Sequence, residues 1–282
     1  MHGADRLIQK LGEGGMGQVW LAEQTAPVRR QVALKLIKVG MYDDDVLKRF
    51  QSERQSLAIM DHPSIAKVFD AGTTPDGQPY FVMEYVQGVP ITEYSDQKRL
   101  RIRERLELFI KVCEGVQHAH QKAIIHCDLK PANILVVDVD GKPVPRVIDF
   151  GLAKATTPQI AGETLFTKLG AFVGTPGYMS PEQADTSVRD VDTRTDVYSL
   201  GVVLYVLLSG SSPFDTKKWQ KQPLHEVLRQ LREDEPPRPS TKIGMDKKAS
   251  IASAETRGVQ PEGIALPPAK SSTRRRRTLT QG

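Results

Sequence analysis

The sequence is poor in cysteine and has no long apolar run. Cys113 and Cys127 are the only cysteines among 282 residues, too few for a disulfide framework, so we expect a reducing, cytoplasmic environment. The longest apolar stretch, Val197–Leu208, is interrupted by a serine and a glycine and falls short of the roughly 20 residues that cross a bilayer. The polar residues that follow Met1 do not resemble a signal peptide. These absences predict a globular protein without a membrane segment.

An excess of one charge is also absent from most of the chain. The net charge is +5, but residues 241–282 contain nine Lys and Arg against three Asp and Glu, a balance of +6, so residues 1–240 balance at −1. The folded part therefore gives no reason to expect nucleic-acid binding. The tail is rich in Pro, Ser and Lys without periodicity, which predicts disorder, with Arg274–Arg277 as a solvated run.

Two kinds of periodicity divide the remaining residues. Alternating apolar residues between Gly and Pro turns predict strands in the first part, and helical spacing predicts helices in the second. The pattern is α+β, with a small, mostly antiparallel β part before a mostly helical part. The predicted strands are 7–11, 18–22, 31–39, 66–69 and 80–84, with a hairpin that pairs 134–137 with 146–148 around a turn at Asp140-Gly141. The predicted helices are 46–60, 101–121, 196–209 and 224–232.

The first segment with chemical meaning is Gly12–Val19, which reads G-x-G-x-x-G-x-V. Glycines allow backbone amides to approach phosphates because no Cβ intervenes. A dinucleotide-binding loop would lead into a helix, whereas this one leads into another strand. Glycine loops also often only turn a hairpin, so this run by itself is weak evidence.

A lysine on the following strand strengthens the case for a phosphate site. Lys35 ends the sequence Val32-Ala33-Leu34-Lys35, and Glu53 lies on the apolar face of the next predicted helix. A lone strand lysine is usually solvated, but a carboxylate on an apolar face needs a partner. An ion pair between Lys35 and Glu53 would satisfy both groups and direct the ammonium toward the α- and β-phosphates of ATP.

Five more motifs follow in the second part of the chain. They are His126-Cys127-Asp128-Leu129-Lys130-Pro131-Ala132-Asn133, Asp149-Phe150-Gly151, Gly174-Thr175-Pro176, Ser180-Pro181-Glu182 and Asp196–Gly201. With these motifs in this order, the chain resembles the eukaryotic-like (Hanks-type) serine/threonine protein kinases, most of all their bacterial members. The resemblance covers about residues 5–240 and implies the two-lobed kinase fold. The N-lobe would span 5–87, the C-lobe 88–240, and a basic tail 241–282.

The resemblance implies ATP and Mg²⁺ as ligands and a role for each matching residue. Asp128 would accept or orient the proton of the attacking hydroxyl, and Lys130 would neutralise the γ-phosphate. Asn133 and Asp149 would hold magnesium. Met83 would be the gatekeeper before a hinge at Glu84–Val86. The positions assigned to nucleotide binding are Leu11, Gly12, Gly14, Gly15, Gly17, Val19, Ala33, Lys35, Glu53, Met83, Glu84 and Val86.

The resemblance also suggests the substrate class. Lys130, two residues after Asp128, and Thr175, just before a proline, are typical of serine/threonine kinases rather than tyrosine kinases. Protein Ser and Thr hydroxyls are therefore the expected acceptors, with autophosphorylation at Thr164 or Thr167 as a candidate reaction.

Several polar residues of these motifs are interpreted as structural. His126 is expected to pack near Phe150, and Asp196 to bond the backbone near His126. His118 and His120 lie two residues apart and so do not share a helix face, which argues against a metal site. Glu182 is expected to anchor the activation segment.

The end of the sequence departs from the family pattern. Residues 241–282 show no apolar helical stripe, so the C-lobe is expected to lack its last helices. The loss would expose apolar surface and could leave Glu182 without its arginine partner. The alternative to an active kinase is therefore a weak or inactive truncated domain that binds ATP or a partner protein, with a nucleic-acid-binding tail as a third hypothesis.

A second departure generates a prediction. Cys127 stands where most members carry an arginine that binds a phosphate on the activation segment. Phosphorylation of Thr156, Thr157, Thr164 or Thr167 is therefore expected to change kcat little, because the main receiver of the phosphate is missing. The check compares kcat of phosphatase-treated and phosphorylated protein. A large gain on phosphorylation would contradict the prediction.

Overall fold

The computed structural model describes residues 6–14, 17–26, 28–38, 60–150, 176–185, 192–219 and 221–243. The chain divides into two compact units, Met1–Ile243 and Gly244–Gly282, and the second lies outside the described residues. Most of the helix expected over 46–60 lies outside them too, together with Glu53, Gly15 and Thr175.

The first part of the chain forms a five-stranded antiparallel sheet with the order β1-β2-β3-β5-β4. Four of the five expected strands appear close to their predicted places. The fourth was expected over 66–69 but begins two residues later, because the backbone N–H of Ala66 donates to Val147 O at 2.9 Å instead. The strands are β1 (Arg6–Gly14), β2 (Gly17–Gln24), β3 (Arg30–Ile37), β4 (Val68–Thr73) and β5 (Pro79–Glu84).

Alternation along β3 and β5 gives the sheet two apolar faces. Val32 and Leu34 pack with Val82 in a small outer cluster, while Ala33, on the opposite face, joins the main core with Met83. Successive side chains of a strand point to opposite faces, so Lys35 shares the face of Ala33. The sheet therefore directs Lys35 toward the main core and not toward the outer surface.

The second part of the chain is mostly helical and contains a three-stranded sheet with the order β6-β7-β8. The helices expected over 101–121, 196–209 and 224–232 are confirmed within three residues at each end. The elements are β6 (Val89–Pro90), α1 (Ile91–Gln97), α2 (Ile102–His120), β7 (Ile134–Val139), β8 (Lys142–Val147), α3 (Thr193–Ser209), α4 (Thr216–Trp219) and α5 (Leu224–Glu233). Among the described helices, none has both the length and the apolar character that crossing a bilayer requires.

Local signals set the ends of α3 and of the β7–β8 hairpin. The Asp192 side chain accepts from Arg194 N and caps the first turn of α3, and Gly210 ends the helix at a φ of 76°. Asp140 and Gly141 have φ values of 50° and 74°, as the two-residue turn that matches strand twist requires. This turn was predicted at the right place, although both strands are longer than expected.

A short segment, 62–66, joins the sheet to the helical part. The carbonyl of Ser64 accepts from Val147 N at 2.8 Å, and Arg146 of β8 donates to Pro63 O at 2.7 Å. Gly115 of α2 allows the approach, since a Cβ there would lie 3.2 Å from the Ser64 Cβ. The two parts are thus connected by buried backbone bonds as well as by one continuous core.

The structure separates the glycines of the β1–β2 loop by their surroundings. Gly17 has a φ of 152°, and a Cβ built on it would lie 2.0 Å from Leu36 O on β3. Gly12 and Gly14 have nothing within 4 Å of such a Cβ. Gly17 is therefore required by strand packing, whatever it contributes to phosphate binding.

Replacement of Gly17 should cost stability in the absence of any nucleotide. Gly17→Ala is expected to lower the free energy of unfolding by about 1–3 kcal/mol, because it forces a rare backbone angle and a backbone clash. Gly12→Ala is the matched control and should change it by less than about 1 kcal/mol. Chemical denaturation of both variants measures the difference, and equal stabilities would contradict the assignment.

Candidate active site

The loop between α2 and β7 brings together the three predicted catalytic residues. Lys130 Nζ lies 2.7 Å from Asp128 Oδ2, and Asn133 Nδ2 donates to the same oxygen at 3.2 Å and to Asp128 O at 2.9 Å. A 3₁₀ turn over Pro131–Asn133 produces this approach, with proline at its first position, where no N–H is needed. The Asp128 carboxylate stays one-third exposed and can reach a bound substrate.

Asp149 lies beside this loop and reaches Lys35 of the sheet. Its Oδ2 is 3.0 Å from Lys35 Nζ, and Lys35 is only 7% exposed, so the pair is shielded from solvent. The expected pair of Lys35 with Glu53 lies outside the described residues. Asp149 has a φ of 65°, a strained conformation that an L residue keeps only where its surroundings hold it.

The two predicted magnesium ligands are neighbours through the backbone. Ile148 N donates to Asn133 O at 2.9 Å, which places Asp149 next to the turn that carries Asn133. Both hydrogen bonds of the Asn133 side chain use Nδ2, so its amide oxygen is the ligand atom it offers. Within the described part of the chain no three His, Cys, Asp or Glu side chains gather at a metal site. An amide oxygen and one carboxylate suit Mg²⁺, which takes its other ligands from phosphates and water.

A single buried carboxylate holds in place the loop between α2 and β7, which carries Asp128 and is called the catalytic loop from here on. Asp196 of α3 accepts from His126 N at 2.8 Å, from Cys127 N at 2.9 Å, and bonds His120 Nε2 at 2.8 Å. Asp196 is fully buried, and Cys127 has a φ of 63°. The expected bond between Asp196 and the backbone near His126 is confirmed, and His120 has the structural role assigned to it.

His126 connects this anchor to Asp149. Its Nδ1 accepts from Asp128 N at 3.2 Å, so Nε2 carries the proton and donates to Ile148 O at 2.9 Å. The ring lies 4.8 Å from the Phe150 ring and is fully buried. The expected packing of His126 against Phe150 is confirmed, and the neutral ring fixes the backbone on both sides of the site.

The residues expected to contact a nucleotide line one face of the sheet. Val19 pairs with Lys35 across β2 and β3, and Ala33 pairs with Met83 across β3 and β5. Ala33 and Met83 are buried, whereas Leu11 is 41% exposed at the sheet edge. The strand register therefore places the four predicted residues Val19, Ala33, Lys35 and Met83 side by side.

The predicted hinge is held by contacts that the sequence did not indicate. The N–H of Glu84 donates to Lys67 O at 2.8 Å, so this amide is not available to an adenine base. The Glu84 carboxylate accepts from Lys67 N at 3.1 Å and pairs with Arg146. Val86, two residues further, is half-buried and has no such contact among the described residues.

Sequence reasoning missed Gln183, which follows the Ser180-Pro181-Glu182 motif directly. Its Nε2 donates to Cys127 O at 2.8 Å, whereas Glu182 accepts from Thr195 Oγ1 at 2.8 Å. Glu182 therefore has a hydrogen-bond partner in Thr195, while the expectation that it lacks an arginine partner stays a prediction. Burial also raises the pKa of the nearby Tyr178 phenol. Nothing in the sequence indicated a role for Gln183, because its partner is a backbone atom 56 residues away.

The Asp196 anchor yields a prediction for stability and rate. Asp196→Asn keeps one acceptor oxygen but turns an NH₂ toward a backbone N–H, so the free energy of unfolding should fall by about 1–3 kcal/mol for the unpaired donor. The phosphate transfer expected from the sequence should slow as well, since Cys127 directly precedes Asp128. Asp138→Asn is the control, because it retains the acceptor for Tyr94 OH. Equal melting temperatures of the two variants would contradict the anchor role.

Comparison with known proteins shows which family the chain is similar to. Residues 6–259 match the family model described as the protein kinase domain. Curated relatives include Pkn1 of Myxococcus xanthus, 38% identical over 83% of this chain and 32% of the relative. PknB of Mycobacterium leprae is 39% identical over 76% of this chain and 34% of the relative. The chain thus spans about a third of the length of these relatives, both of which are named serine/threonine-protein kinases.

A solved structure supports the fold. The kinase domain of Mycobacterium tuberculosis PknI, in a double-mutant form, matches 91% of this chain and 87% of its own with a TM-score of 0.62 and 26% identity. The two-lobed α+β fold and the resemblance to bacterial Hanks-type kinases are confirmed by these matches. With the family model covering most of its length, the chain belongs to the protein kinase family.

Proposed function

We propose that the chain transfers the γ-phosphoryl group of Mg·ATP to Ser or Thr hydroxyls of proteins. The observation that carries the proposal is the meeting of Asp128, Lys130 and Asn133 within hydrogen-bond distance, one backbone bond away from Asp149. Phosphoryl transfer has a loose, in-line transition state, so catalysis depends mainly on positioning and charge neutralisation. These residue types in this arrangement supply both.

In this proposal, Asp128 orients the acceptor hydroxyl and takes its proton. The Lys130 ammonium, 2.7 Å from that carboxylate, contributes positive charge beside the transferring phosphoryl group, whose oxygens carry negative charge in the transition state. Bound Mg²⁺ supplies charge neutralisation at the phosphates, and Asn133 and Asp149 would hold it. Lys35, held by Asp149 at 3.0 Å, would bind the α- and β-phosphates.

The adenine would lie against the apolar face of the sheet. Val19, Ala33 and Met83 share that face by register, and apolar contact suits a flat aromatic base. Because the Glu84 N–H is bonded to Lys67 O, backbone recognition of the base falls to the remaining hinge groups, including those of Val86. Gly12 and Gly14, which have open space above their backbone, would cover the phosphates together with Gly15.

Protein Ser and Thr residues are proposed as acceptors because of Lys130 and because the curated relatives carry serine/threonine kinase names. Thr164 and Thr167 are proposed as autophosphorylation sites, and Thr175 as a partner of the catalytic loop. A cytoplasmic location is proposed from the thiol state of Cys113 and Cys127, neither of which forms a disulfide.

The direct test is phosphate transfer by the purified chain and by Asp128→Asn. With Mg·ATP and a generic basic protein, the native chain should produce phosphoserine and phosphothreonine. The variant should be slower by about 10²-fold or more, because it cannot take the hydroxyl proton. Mass spectrometry counts the phosphorylated residues.

Asp138→Asn serves as the control and should retain activity, since Asp138 lies at the far end of the β7 strand and its amide still accepts from Tyr94 OH. Absence of phosphate in every sample, with ATP still bound, would contradict the proposal and favour a binding module. Phosphotyrosine as the main product would contradict the acceptor class alone.

A further inference from the structure

We infer that Gln183 is a positioning residue that couples the segment 176–185 to the catalytic loop. This inference rests on the proposed function for its kinetic part. The Gln183 Nε2 atom donates to Cys127 O at 2.8 Å, the carbonyl that immediately precedes Asp128. Gln183 does not touch the reacting atoms, so it would act through the backbone that carries Asp128.

Cys127 requires support because its φ of 63° lies in the left-handed region, which residues other than glycine rarely occupy. Its N–H donates to Asp196 Oδ1 at 2.9 Å, and its C=O accepts from Gln183. The two polar atoms of the Cys127 backbone are therefore held from two different elements. Asp196 fixes one side of the residue, and Gln183 fixes the other, where Asp128 begins.

The opposite end of the Gln183 side chain is fixed as well. Its Oε1 accepts from Ser180 N at 3.1 Å and from Ser180 Oγ at 3.3 Å, and Ser180 is fully buried. These donors settle the amide orientation, because only an oxygen can face Ser180 N–H and only an NH₂ can face Cys127 O. The amide thus bridges two backbone segments, which neither a carboxylate nor an apolar side chain could do.

The segment 176–185 is also attached to α3, the helix that carries Asp196. Ser199 Oγ donates to Tyr178 O at 2.8 Å, and Thr195 Oγ1 donates to Glu182 Oε1 at 2.8 Å. Cys127 is therefore linked to α3 in two ways. Asp196 links it directly, and Gln183 links it through the segment 176–185. This arrangement makes the position of Asp128 depend on the segment that follows the activation loop.

The chemistry of this link differs from that of a phosphate-dependent one. Cys127 has no cationic group with which to bind a phosphate, whereas its carbonyl forms a neutral hydrogen bond with Gln183. A neutral bond needs no phosphorylation and is little affected by salt, unlike an ion pair. The coupling should therefore be present in the unphosphorylated protein.

The test uses Gln183→Met, which has nearly the same volume but neither donor nor acceptor. The rate of phosphate transfer per nucleotide-binding site should fall roughly tenfold or more, since small displacements of Asp128 are costly. KM for ATP should stay within about twofold, because the nucleotide contacts are unaltered. A merely structural defect would instead reduce the number of nucleotide-binding sites and leave the rate per site unchanged.

Hydrogen–deuterium exchange gives a readout that does not need activity. Gln183→Met should raise exchange in the peptide 124–130, which contains the amides of Cys127 and Asp128. Gln24→Met is the matched control, because Gln24 is also buried and accepts a hydrogen bond, from Arg30 at 2.7 Å, but lies at the end of strand β2. The control should leave both the exchange in 124–130 and the rate per site unchanged.

A second variant, Gln183→Glu, removes only the donor to Cys127 O and retains the acceptor for Ser180. It should show the same rise in exchange, which keeps the test valid if the methionine variant does not fold. Unchanged exchange in 124–130 in both variants overturns the inference, as does an unchanged rate per site in an active protein. Raised exchange in a chain whose native form transfers no phosphate supports the link and contradicts the proposed function alone.

Discussion

The buried carboxylate of Asp196 is the interaction on which the site depends. It accepts two backbone N–H groups, from His126 and Cys127, and bonds the His120 ring at the same time. A buried charge persists only where donors surround it, and these donors come from α2 and from the catalytic loop. Because the apolar helix α3 is packed in the core, its Asp196 has a fixed position, and the loop bonded to Asp196 is fixed with it. The strained backbone at Cys127 is held by the same bond.

A hydrogen bond and an ion pair connect this anchored loop to the sheet. His126 donates a hydrogen bond to Ile148 O, and the carboxylate of the next residue, Asp149, pairs with Lys35 of the sheet. A second connection between the two parts runs through Arg146, which binds Pro63 O and the Glu84 carboxylate. Both connections join parts of one continuous core, so the same packing positions the loop that carries Asp128 and the sheet face proposed to bind the nucleotide.

Much of the architecture was predictable because local rules govern it. The β7–β8 turn at Asp140 and Gly141 and the helical stripe of α2 are short-range features that appear at their expected places, whereas α3 begins three residues before its expected start, at the cap that Asp192 provides. The fourth strand was misplaced because Ala66 bonds to Val147, 81 residues away in the sequence, and no local pattern indicates such a partner. Gly17 was assigned to phosphates, whereas a Cβ at this position would lie 2.0 Å from Leu36 O, so strand packing alone requires a glycine.

The sequence by itself determined the family and indicated the candidate catalytic residues, because motifs such as Asp128 to Asn133 are contiguous and their chemistry follows from residue type. Only the tertiary structure decided which groups hold those residues in place. The bonds of Asp196 and Gln183 to Cys127 and of Glu84 to Arg146 join residues far apart in the chain, and backbone atoms, which every residue carries, provide many of the partners. Because every residue has these backbone groups, the sequence does not show which of them serves as the hydrogen-bond partner.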